Sequence, residues 1–142
     1  MSLATPAALI RSPDMLATLR HPRIWQVIGW LLVVCAVILS LAPGPALPNV
    51  SMNDKVAHAT IYAVLALWFA GLYPRSRYVW IALCLFALGV FIEFVQGAMA
   101  LGRQRDYLDV IANSAGICVG LTLALFWLGN WVQLVEGWTR RS

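Results

Sequence analysis

Four long apolar runs, separated by short polar breaks, make up most of this chain. The first, Ile24 to Leu41, carries no charged residue and is long enough to cross a bilayer as a helix. Its basic start and Ser40-x-Ala42 resemble a secretory signal. The run exceeds the usual apolar length of such a signal, however, and Pro43 obstructs cleavage, so an uncleaved span is expected. Pro43-Gly44-Pro45 and Pro48 break the run and leave an extended loop over 43–53. A second run begins near Asp54 and stops at Pro74 in the tight basic turn Pro74-Arg75-Ser76-Arg77. The third extends from Tyr78 to about Ala100, and the fourth from Asp109 to about Trp131. The pattern predicts an all-α membrane protein, a four-transmembrane-helix bundle, with spans about 24–42, 54–73, 78–100 and 109–131. Residues 1–23 then form an N-terminal tail with a short interfacial helix near Met15–Leu19, residues 24–132 the membrane domain, and residues 133–142 a C-terminal tail.

Composition agrees. Only 11% of the residues are charged and 61% are apolar, whereas a soluble domain is about one quarter charged. The net charge of +4 is scattered over tails and turns with no aromatic interleaving, which excludes a nucleic-acid stripe. Arg11, Arg20, Arg23, Arg75, Arg77, Arg140 and Arg141 lie on the side of the termini, and Lys55, Arg103 and Arg105 on the other. That asymmetry predicts cytoplasmic N- and C-termini. Trp25, Trp68, Trp80, Trp127, Trp131 and Trp138 fall near the same ends, as a headgroup belt would, with Trp30 deeper. Cys35, Cys84 and Cys118 lie mid-run, lack metal-ligand spacing, and read as small apolar packing residues.

Against this background two polar clusters stand out, both at predicted outer ends. Lys55, His58 and Tyr62 recur at i, i+3, i+7 and share a helical face; Asp54 fits a carboxylate at the start of the second span. On the third span, Glu93 and Gln96 sit one turn apart, with Glu93 about 10 Å below the outer end. A carboxylate at that depth costs about 2–3 kcal/mol unless it faces the bundle interior or water, so it needs a partner: His58, Arg103 or Arg105. Asp106, Asp109, Asn113, Gly116 and Gly120 form one stripe, polar above and GxxxG below. Each residue alone has a structural explanation: buried pair, interhelical glue, cap, or close helix packing. So many ionisable groups at one depth exceed what packing requires, and intramembrane ionisable residues are functional candidates by default.

Asp54-Lys55-x-x-His58-x-x-x-Tyr62, then Glu93-x-x-Gln96, then an arginine with Asp106-x-x-Asp109-x-x-x-Asn113-x-x-Gly116 and Gly120 resemble the VanZ-like family of small bacterial membrane proteins. The resemblance covers about residues 50–125, with either Arg103 or Arg105 as the family arginine. It implies a multi-pass protein of the bacterial cytoplasmic (inner) membrane and a link to low-level resistance to teicoplanin and related lipoglycopeptides. That is a class label rather than a reaction.

Two functions fit the residues. In the first, an outer-face enzyme acts on a lipid-linked or cell-envelope amphiphile. Its catalytic set is His58, Glu93, Asp106 and Asp109, with Glu93 as general acid, His58 as general base and the two aspartates orienting groups or holding a divalent cation. Lys55, Tyr62, Gln96, Arg103, Arg105 and Asn113 bind substrate, and Asp54, Gly116 and Gly120 are structural. In the second, the same mouth is a non-catalytic module that grips a headgroup, an envelope precursor or a lipoglycopeptide, or docks a membrane partner. No nucleophile signature, dedicated metal spacing or identifiable cofactor appears, and four spans without inverted repeats do not resemble a secondary carrier.

Overall fold

Proline marks both ends of the first helix and the stop of the second. In the computed structural model, which describes residues 16, 19–42, 52–99 and 107–138, helix α1 runs Pro22–Leu41 with proline in its first turn, where the missing N–H is harmless. It ends at Ala42, which is extended (φ −61°, ψ 138°) as the residue before Pro43 must be. Helix α2 covers Met52–Leu72, and a single 3-10 turn, Arg75–Arg77, leads into α3, Tyr78–Met99. Helix α4 runs Tyr107–Leu123 and continues through a five-residue π-helical stretch, Ala124–Leu128. A short helix α5 follows, Trp131–Trp138. Among the described residues α1 to α4, the last with its π-helical extension, are long and apolar enough to cross a membrane, which makes this a multi-pass all-helical membrane protein.

The surface is what lipid requires. Ile24, Val27, Ile38, Val79, Phe91, Ile111 and Phe126 all point outward from the spans. Association of such helices gains nothing from hiding apolar area and relies on close packing and interhelical hydrogen bonds. The closest approach joins α2 and α4. A Cβ on Gly116 would collide with the Ala59 carbonyl oxygen, and one on Gly120 with that of Ala63 and, at 2.9 Å, the Ala66 methyl. The GxxxG face of α4 is therefore filled by α2 of the same chain. Ala66 and Ala70 are fully buried beside it. Helix α3 adds Tyr78, Ile81, Leu85, Gly89 and Ile92 from its inner stripe.

Three expectations change. All three cysteines are free thiols exposed on the helix surfaces, not interior packing residues. Lipid solvates a small apolar side chain as well as a protein interior does, so an apolar run does not reveal its inner face. Trp25, Trp68 and Trp131 do not form a belt but pack together, with ring centroids 4.9–5.7 Å apart, while Trp80, Trp127 and Trp138 remain exposed. The C-terminal segment from 133 is not simply a tail: through Trp138 it belongs to α5, whose Val132 and Glu136 turn inward. Of the interfacial helix expected near Met15–Leu19 only Leu16 and Leu19 are among the described residues: Leu16 is helical, and Leu19 is buried with its N–H donating to the Leu16 carbonyl at 3.3 Å. Residues 43–51 of the expected loop lie outside the described residues, and 52–53 already belong to α2.

Candidate functional site

The antiparallel course of the spans gathers the polar positions at one end. The starts of α2 and α4 and the ends of α1 and α3 meet there. His58 lies nearly two turns into α2 and is 5% exposed; Asn113 of α4 is 2% exposed. Their side chains meet at 3.1 Å, His58 Nδ1 to Asn113 Oδ1. The amide oxygen can only accept, so the ring nitrogen Nδ1 donates and Nε2 is left to face Asp54 Oδ1 at 4.0 Å. One turn earlier on α4, Asp109 is buried and accepts the Lys55 ammonium at 3.2 Å. Asp54, His58 and Asp109 each offer a donor atom, and these atoms lie within 4.8 Å of one another. The sequence places Asp54 as a helix-start carboxylate, and it does lie in the first turn of α2. Its grouping with His58 and Asp109 arises only because α2 and α4 pack so closely.

Tyr62 lies one turn below His58, almost wholly buried, and its hydroxyl has no hydrogen-bond partner among the described residues. A Cβ on Gly89 of α3 would come within 3.0 Å of Asn113 Nδ2 and 3.2 Å of that hydroxyl. Glycine at this position thus lets α3 approach the His58–Asn113–Tyr62 column, a role the sequence did not flag. Glu93, one turn further along α3, is buried, engaged with its surroundings and within electrostatic reach of Tyr62. Gln96 has a different neighbour: its amide donates to the Ser40 carbonyl at 2.6 Å and ties α3 to the end of α1. Arg103, Arg105 and Asp106 lie outside the described residues.

The opposite end is built differently. Glu136 of α5 accepts the backbone N–H of Arg20 at 2.7 Å, that of His21 at 3.2 Å and the Trp25 indole at 2.8 Å. It serves as a carboxylate cap for α1, whose own N-cap residue His21 makes no side-chain cap. Burial alone would raise the Glu136 carboxyl. The N–H groups of Arg20, Trp25 and His21, with the His21 ring, outweigh it and hold the group below the ordinary value of 4.5. Trp68 donates to the Trp25 carbonyl and Trp131 to that of Leu67, each at 3.2 Å, so every indole in the cluster is satisfied. Nearby, Arg75 takes the Leu125 carbonyl within the π-helical stretch at 2.9 Å. Glu136 escaped sequence reasoning; the only signal was a lone carboxylate within an otherwise apolar segment flanked by tryptophans. An apolar cavity of about 510 Å³ also opens at this end, lined by Trp30, Phe69, Tyr73, Arg77 and Trp80 among others. None of the polar group reaches it, and its lining suits a lipid acyl chain rather than chemistry.

Chemically, the polar end combines an imidazole oriented by Asn113, two carboxylates near it, an ammonium, and a buried phenol and carboxylate below. Such a set can move a proton, hold a cation or grip an anionic headgroup. No family model matches the chain, and no solved structure matches it. An uncharacterized protein of the fission yeast Schizosaccharomyces pombe is 32% identical over 106 residues. The match takes in 72% of this chain and 64% of that protein, so the chain spans a little under two thirds of the relative's length.

Proposed function

We propose that the polar end is a pocket for the headgroup of a lipid-linked or cell-envelope amphiphile, with His58 and Glu93 acting on it as base and acid. One observation carries this reading. His58, Tyr62, Glu93, Asp109 and Asn113 are all buried at one end of a membrane bundle whose packing is supplied elsewhere by glycine and alanine. The excess of basic residues beside the termini and the 74–77 turn, where the tryptophans also cluster, supports cytoplasmic termini and an outward-facing pocket. The VanZ-like motif supports a bacterial inner-membrane protein and the teicoplanin-type resistance label; the motif residues alone stand behind both.

The test is turnover of envelope lipid extract by the purified protein, read by mass spectrometry. His58→Ala and Glu93→Ala abolish turnover while membrane level and melting stay as in the wild type. If both variants disappear from the membrane, the residues are scaffold and the proposal fails. The Lys55–Asp109 pair and the Gln96–Ser40 bond favour a second reading, a non-catalytic binding module, because both hold polar groups still. In that case His58→Asn and Glu93→Gln, which keep hydrogen bonding, retain the bound amphiphile.

A further inference from the structure

His58 Nε2 and Asp54 Oδ1 face each other at 4.0 Å, too far for a hydrogen bond. With Nδ1 donating to Asn113, Nε2 of the neutral ring presents its lone pair towards the Asp54 carboxylate. A cation between them suits that arrangement. Two donors sharing one ion at about 2.1 Å each lie at most roughly 4.2 Å apart, which matches this gap. Asp109 completes a triad within 4.8 Å, and a side-chain shift below about 1 Å brings all three donors onto one ion. Asp54 is partly exposed, and Asp109 has a second oxygen beyond the one that meets Lys55.

We propose that Asp54, His58 and Asp109 form a site for a divalent first-row transition ion of the Zn²⁺ or Mn²⁺ class. The imidazole disfavours the hard ions Ca²⁺ and Mg²⁺, which prefer oxygen throughout. Asn113 is the positioning residue: its hydrogen bond fixes the tautomer and ring orientation, as outer-shell partners of ligand histidines do. Three protein ligands leave a coordination position open. A bound divalent ion adds two positive charges beside the Lys55 ammonium. The open position then takes an anionic oxygen, such as a phosphate of a headgroup. That last step alone rests on the headgroup pocket proposed above.

The competing state is a protonated His58 paired with Asp54 and no metal. Calorimetric titration of chelator-treated, full-length protein in detergent with ZnCl₂, and of MnCl₂ by loss of the free-ion paramagnetic resonance signal, separates the two. The site binds one ion per chain. Asp54→Asn and His58→Gln weaken binding at least about tenfold, and Asn113→Ala, which touches no ion, by about 10- to 100-fold. Lys55→Ala binds more tightly than the wild type, because a competing cation has gone; it reads the site even if the ligand variants do not fold. Wild-type protein that takes up neither ion, or Asp54→Asn that binds as the wild type does, overturns the proposal. No lipid is added in either titration. Failure of turnover therefore leaves the metal site standing, and ion binding without any lipid effect sinks the headgroup reading alone.

Discussion

Helix α2 carries a different kind of interaction at each end. At its start, Lys55 and His58 meet Asp109 and Asn113 through a few hydrogen bonds among groups that would rather be hydrated. At its finish, Trp68 and Leu72 sit in a cluster where three indoles meet edge-on or tilted and each N–H is satisfied. The second end is what a membrane protein builds to stay folded. The first is an expensive way to achieve the same thing: a hydrogen bond between spans contributes only about 0.6 kcal/mol, while a buried ionisable group costs several times that unless it is compensated. The contrast assigns stability to the tryptophan end and the α2–α4 glycine seam, and ligand handling to the polar end.

The largest expected effect lies in the seam that both ends share. Gly116→Leu drives a side chain into the Ala59 backbone, which cannot give way as a flexible side chain would. A loss of about 3 kcal/mol or more is expected, read as loss of monodisperse protein in detergent. Next comes Glu136→Ala, which strips three donors of their acceptor. It costs about 2 kcal/mol by thermal melting and leaves amphiphile binding unchanged. The same carboxylate predicts a pH effect. Its folded-state pKa lies below the ordinary 4.5, so its contribution is complete above that value and fades as pH falls through the lower, folded value. Melting temperature should therefore drop below about pH 4.5 in the wild type, and drop less in Glu136→Gln. A smaller change, about 0.6 kcal/mol in stability, is expected for Asn113→Ser, with a much larger loss of binding. Least affected is Cys84→Ala on the lipid face, which should melt as the wild type does.

How far the sequence foretold this division depends on the residue. Span number and breaks follow from hydropathy and from Pro43 and Pro74, because proline and bilayer thickness act locally along the chain. Gly116 and Gly120 announce a close contact, yet nothing local says that Ala59 and Ala63 fill it. His58, Glu93, Asp109 and Asn113 stand out because ionisable and amide groups are rare in apolar runs. That Asp54 joins His58 and Asp109 depends on which helices pair and in which register, and apolar periodicity is a poor guide when lipid wets the outside. Cys35, Cys84 and Cys118 went astray for the same reason. Glu136 was missed because two of its three donors are backbone N–H groups more than a hundred positions away, which leave no sequence mark, and the third, the Trp25 indole, is equally distant in sequence.

The most direct test of the division is native mass spectrometry of the protein extracted in mild detergent, comparing wild type, His58→Asn and Glu136→Gln for a retained anionic amphiphile. The account predicts the adduct on the wild type and on Glu136→Gln, and its loss from His58→Asn, which breaks the proposed ion site while keeping a hydrogen bond to Asn113. An adduct held equally by all three proteins, or by none, would contradict it.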